Sequence, residues 1–168
     1  MTQLNIRTLI LACGNTLRSD DGVGPHLAAW AEDHFRNNPT IRVISRHQWT
    51  PDLAEDLAHA DSALFLDCSI DAPPGSVQLR EVYPATPAQA LATHHIGAPE
   101  LLALALELYS SAPRSAQLLT VGAASLDLGE AFSPAVTAAI PSARATIERT
   151  VTCPPQAEGG KSKSDSVN

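Results

Sequence analysis

Between Ile6 and Phe35 the apolar pattern changes period once, and that change restricts the fold more than any other feature of the 168-residue chain. Ile6 to Ala12 is a short β-rich apolar run broken by Gly14. From Gly22 onward Val23, Leu27, Trp30, Ala31 and Phe35 return at helical spacing, with Pro25 tolerated in a first turn. Strand, polar loop and helix thus follow in order, and the alternation repeats. Ile41 to Ser45 reads as a second strand, Asp52 to His59 as a short helix that Thr50 caps and Pro51 starts, and Ala63 to Cys68 as a third strand. Pro73, Pro74 and Gly75 punctuate a loop before Val77, Leu79 and Val82, which read as an extra strand suited to an edge. Ala98 to Tyr109 is predicted as a helix apolar nearly all round, Leu118 to Gly122 as a strand, and Ser133 to Thr150 as the last helix. In that helix Ser133 suits the N-cap and Pro134 the first position, while Pro141 should kink or split it. Strands alternating with helices indicate an α/β fold, a three-layer α/β/α sandwich around a mainly parallel, twisted sheet.

The length suits one domain, placed at residues 1–150, with 151–168 as a polar tail rich in Pro, Gly, Ser and Lys. A net charge of −7, with 11 basic against 18 acidic residues, argues against a nucleic-acid partner, whose phosphates demand clustered Lys and Arg. Apolar runs such as Leu101 to Leu106 fall far short of the roughly 20 residues that span a bilayer. Arg7 interrupts the only N-terminal stretch resembling a signal sequence, so a cytoplasmic location is expected. Cys13, Cys68 and Cys153 lack any CxxC pairing, which gives no support to a structural zinc site or a disulfide scaffold.

The densest polar cluster is the loop Gly14-Asn15-Thr16-Leu17-Arg18-Ser19-Asp20-Asp21-Gly22-Val23-Gly24. Its glycines do not follow GxGxxG, and no phosphate-loop lysine is present. Open parallel sheets bind ligands beyond the carboxyl ends of their strands, where this loop is placed. Asp20 and Asp21 begin a helix, a position that keeps a carboxylate ionised. Residue chemistry leaves open whether they ligate a cation or only cap the helix. Asp67 and Cys68 end the third strand with side chains on opposite faces, so one of them shares the first loop's cleft. Cys68 is most simply a small buried filler. His94 and His95 precede the helix opened by Gly97 and Pro99 and offer one ligand with one orienting neighbour. Two carboxylates and an imidazole suit Zn, Ni or Fe.

The chain resembles the nickel–iron hydrogenase maturation endopeptidases, which remove a C-terminal extension from the nickel-loaded hydrogenase large-subunit precursor. The loop from Gly14 to Gly24 carries the resemblance most specifically. Pro51-Asp52-Leu53-Ala54-Glu55, the strand ending in Asp67, His94-His95 and Phe132-Ser133-Pro134-Ala135-Val136 add order and spacing over Ile6 to Thr150. Gly122-Ala123-Ala124-Ser125 departs from a bulkier family pattern. The resemblance implies that Asp21, Asp67 and His94 are both the catalytic and the metal-facing residues. His94 is assigned rather than His95 because it stands three residues before Gly97. It also implies that nickel comes with the precursor instead of residing in the chain, and that the partner is that precursor, not a membrane or a nucleic acid. HExxH, GxSxG and a convincing Cys/His arrangement are all missing. A non-hydrolytic, metal-dependent assembly or binding factor is therefore the alternative, and a cysteine peptidase using Cys68 and His94 is a second one.

Overall fold

The computed structural model describes residues 6–86 and 96–153. Five strands form one sheet among these residues: β1 (Thr8–Cys13), β2 (Ile41–Arg46), β3 (Ser62–Ser69), β4 (Val77–Glu81) and β5 (Ser115–Gly122), in the order β2-β1-β3-β5-β4. β1 pairs in parallel with β2 and β3, and β3 with β5; only β4 runs antiparallel, at the edge as its isolated position after a Pro-Pro-Gly loop suggests. Among the described residues four α-helices accompany the sheet: α1 (Val23–His34), α2 (Leu53–Ala58), α3 (Ala98–Tyr109) and α4 (Pro134–Thr152).

Strand alternation divides the apolar residues into two cores. Leu9, Leu11 and Phe65 face Leu53 and Leu57 of α2 and Leu101, Leu102 and Ala105 of α3. Ile10, Leu64, Leu66 and Leu119 face Val23 and Leu27 of α1 and Val136, Ala143 and Ile147 of α4. Helices therefore cover both faces, and the α/β/α sandwich expected from the sequence is the observed architecture. No helix among the described residues is long and apolar enough to cross a membrane.

Two local expectations need correction and a third is narrowed. Thr50 and Pro51 do not cap and start α2; their carbonyls accept from Leu53 and Ala54 in a turn, and Asp52 holds the N-cap without a side-chain bond. Helix α3 has the expected limits but buries one face only, leaving Leu106 and Leu108 exposed. Helix α4 is not split at Pro141. That residue is exposed, so the Thr137 carbonyl it leaves without an N–H partner is on the solvent side. Ser133 does cap α4, its hydroxyl oxygen accepting from the Val136 N–H at 3.3 Å. The proposed tail begins inside α4, and residues 154–168 lie outside the described residues.

Candidate active site at the carboxyl edge of the sheet

The chain leaves β1 through α1 to reach β2 on one side, then returns through α2 on the opposite face to β3 on the other side. The strand order thus reverses between β1 and β3. At such a point the loops after the two strands diverge to opposite faces and open a crevice at their carboxyl ends. Asp21 follows β1, Asp67 lies near the carboxyl end of β3, and both therefore belong to this edge of the sheet.

Two glycines make the first loop possible. Gly14 has φ +146°, and a Cβ there would lie 1.9 Å from the carbonyl oxygen of Asp21. A Cβ on Gly24 would lie 2.3 Å from the Cys13 carbonyl oxygen, so only glycine lets α1 start directly against the end of β1. Between them, residues Ser19–Gly22 form a 3₁₀ turn that contains both acids.

That turn separates Asp20 and Asp21 into different roles. Asp20 is fully buried: its Oδ1 accepts from the Ser133 N–H at 2.7 Å, and its Oδ2 from the N–H groups of Ala124 at 2.8 Å and Ser125 at 3.0 Å. Burial alone would raise its pKa, but these donors outweigh burial and hold the carboxyl below its ordinary range. Asp20 therefore fastens the first loop to the loop after β5 and has no oxygen to spare for a substrate. Further bonds reinforce the junction, from Ser19 N–H to the Gly129 carbonyl at 2.7 Å and from Gly129 N–H to the Leu17 carbonyl at 3.0 Å.

Asp21 turns the other way. Its Oδ2 accepts from the Asn15 N–H at 2.9 Å and its Oδ1 from the Cys68 thiol at 3.2 Å. Asp67 accepts from the Cys68 N–H through Oδ1 at 2.8 Å. Burial, helped by the negative charge of Asp21 and opposed by that hydrogen bond, pushes the Asp67 carboxyl up to about 6. The alternation expected of strand residues holds. Cys68 packs with the α1/α4 core and is the residue in direct contact with Asp21, while Asp67 follows Phe65 in register on the α2/α3 side. The negative charge of Asp21 nonetheless reaches Asp67.

Two thiols complete the group. Cys13 was not singled out by spacing, yet burial and the charges of Asp67 and Asp21 push its thiol up to about 12. Cys68 is raised for the same reasons, with its hydrogen bond to Asp21 adding to burial. Both are protonated at neutral pH, and a thiol held in that form beside carboxylates is a poor nucleophile. Cys68 is thus more than a plain filler: it donates to Asp21 and orients it. His94 and His95 lie outside the described residues. Among the described residues no three His, Cys, Asp or Glu side chains form a metal-holding group.

A cavity of about 600 Å³ opens elsewhere, between Thr8, Ile41, Ser62 and Ser115 at the starts of four strands. None of the residues that line it belongs to the loops after β1 or β3, and it faces the opposite edge from the carboxyl ends where open parallel sheets bind ligands.

The sequence matches no protein-family model and no curated protein. Solved structures do match. The hydrogenase maturating endopeptidase HybD from E. coli superposes with a TM-score of 0.65 at 20% identity, covering 87% of this chain and 92% of that one. A hydrogenase 2 maturation peptidase from a Thaumarchaeota archaeon gives 0.63 at 24% identity, over 87% and 98%. The NiFe hydrogenase maturation protease HybD from Thermococcus kodakarensis gives 0.64 at 23%, over 85% and 97%. With its sheet order, its switch-point crevice and these superpositions taken together, the chain has the fold of the hydrogenase maturation endopeptidases.

Proposed function

We propose that this protein is an endopeptidase that removes the C-terminal extension of a nickel-loaded nickel–iron hydrogenase large-subunit precursor. The observation that supports the reading is that Asp21 follows β1 and Asp67 lies near the carboxyl end of β3, at the β1/β3 switch point of a chain with this fold, with the Asp21 charge acting on the Asp67 carboxyl. Nickel enters as part of the substrate, held by the precursor, and Asp21, Asp67 and His94 supply the contacts that recognise it. Asp67 suits a proton acceptor: a carboxyl raised to about 6 is ionised at neutral pH and remains basic enough to take a proton from an attacking water. Asp21, fixed by Asn15 and Cys68, keeps a carboxylate oriented beside it.

The direct test is intact-mass analysis of nickel-loaded and nickel-free precursor after incubation with the purified chain. A shortened product from the loaded precursor alone is the expected result. Equal cleavage of both rejects nickel recognition, and binding without mass loss selects the assembly-factor alternative.

Two variants probe the site in the same assay. Cys68→Ala is expected to retain processing within about tenfold, because it removes an orienting hydrogen bond and no nucleophile; loss comparable to that of an Asp67 variant would restore the cysteine-peptidase reading. His94→Gln is expected to reduce processing about 100-fold or more, and His95→Gln far less, since losing a ligand costs more than losing a neighbour. The reverse order would transfer the role to His95.

A further inference from the structure

We propose that the cavity at the amino edge of the sheet is a second ligand site, which takes a small organic oxyanion: a phosphate or carboxylate held between Arg7 and Arg114, joined to an apolar body resting on Phe35, Ile41 and Val151. Such a site is independent of peptide cleavage at the opposite edge.

The sheet builds its floor. Thr8, Ser62 and Ser115 open β1, β3 and β5 and are partners in register, so their side chains share one face. Two residues further along, Ile10 and Leu64 belong to the α1/α4 core, so on that face the core gives way to a row of hydroxyls at the amino edge. Both helices end there. Phe35, which follows α1, and Val151, in the last turn of α4, join Ile41 as apolar walls around about 600 Å³. That volume suits a small molecule, since ligand clefts run to about 300–1,000 Å³.

Hydrogen-bond donors outnumber acceptors around this space. Neither the Arg7 nor the Arg114 guanidinium makes an ion pair or a hydrogen bond among the described residues. Their backbones are nonetheless fixed: the Arg7 N–H donates to the Thr40 carbonyl at 2.8 Å, and the Arg114 N–H to the Asp61 carbonyl at 2.9 Å. Asn38 turns its side-chain oxygen to the Thr40 N–H at 3.1 Å and hydroxyl at 2.8 Å, which leaves its NH2 group as a donor. The Ser115 hydroxyl is also without a partner among the described residues. Arg7 and Arg114 precede strands that flank β3, so their backbones stand about 10 Å apart, two strand spacings, which two long side chains can close on one ligand. Asp61 faces the same cavity, and the carbonyl ends of α1 and α4 add to its negative potential. A bare charge such as chloride therefore gains little here. An oxyanion that accepts from two guanidinium forks at once gains directed, charge-assisted bonds.

The test titrates the full chain with phenyl phosphate, benzoate, inorganic phosphate and phenol by calorimetry, and maps the binding by backbone amide NMR shifts. Phenyl phosphate or benzoate is expected to bind with Kd below about 1 mM, and at least about tenfold more weakly to R7Q/R114Q, with R80Q, which changes an exposed arginine on β4, unaffected. The tighter of the two identifies the head group as phosphate or carboxylate. Inorganic phosphate and phenol, each with half of the ligand, should bind at least about tenfold more weakly than it does. Shifts should centre on Arg7, Thr40 and Ser115. S115D, which sets a carboxylate on the cavity floor, should also abolish binding and replaces R7Q/R114Q if that chain melts below the wild type. No binding of either organic anion, undiminished affinity in the cavity variants, an equal loss in R80Q, or shifts confined to the loops after β1 and β3 would overturn the site. Inorganic phosphate bound as tightly as phenyl phosphate would overturn its apolar half.

Discussion

Asp67→Asn is expected to abolish processing while making the folded chain harder to unfold. The activity loss should be about 100-fold or more, since an amide cannot accept the water's proton. The stability gain follows from the raised pKa. Between the ordinary value of 3.8 and the folded value of about 6, the native state binds a proton that the unfolded chain has released. Stability therefore falls as pH rises through that window, and the full cost of an ionised Asp67 is present at neutral pH. A shift of this size corresponds to about 2–3 kcal/mol, and asparagine keeps the hydrogen bond from the Cys68 N–H while removing the charge. Urea unfolding at pH 7 and pH 4 checks the sign: the variant should exceed the wild type at pH 7 and approach it at pH 4. The same ionisation should give wild-type processing an ascending limb near pH 6. Wild-type-like processing by the Asp67→Asn chain, or a loss of stability at pH 7, would remove Asp67 from the role assigned to it.

Asp20→Ala should produce the largest loss of stability of any single change in the first loop, about 3–5 kcal/mol. It leaves the N–H groups of Ala124, Ser125 and Ser133 without the acceptor that Asp20 supplies at this part-buried junction. The pH dependence has the opposite sense to that of Asp67. Because the folded carboxyl titrates below its ordinary range, the stabilisation is present above the unfolded pKa and is lost as pH falls through the folded one. Acid-induced unfolding should consequently begin at higher pH in the variant, and the part of the wild type's acid sensitivity that Asp20 supplies should disappear. Urea midpoints equal to the wild type's at neutral pH would contradict the fastening role.

Much of the architecture was legible because it rests on local periodicity. The switch from strand to helical spacing after Gly14, the Pro-Pro-Gly loop before β4 and the Gly97–Pro99 start of α3 each encode their element within a few residues. What escaped is chemistry whose partners are backbone groups far along the chain. Nothing in the side chains of Ala124 or Ser133 marks them as donors to Asp20, so two neighbouring acids read as equivalent when the 3₁₀ turn aims one into the protein and the other at Cys68. Cys13 was overlooked for a related reason: it acquires its electrostatic neighbours only when β1 lies beside β3. Of the two outcomes expected at Pro141, the split does not occur, since the residue stands on the exposed side of α4.

The contacts of Asp20 span 104 residues to Ala124 and 113 to Ser133. Because synthesis runs from the N-terminus, the first loop cannot be fastened until the segment that begins α4 has left the ribosome. A nascent chain that has completed β1 and β3 already carries Asp21 and Asp67, but without the clamp that fixes their loop. Closing so long a connection is slow relative to local helix formation. The rigid edge that presents Asp21 and Asp67 is thereby completed only after the start of α4 has been made, and a prematurely terminated chain carries both acids without it.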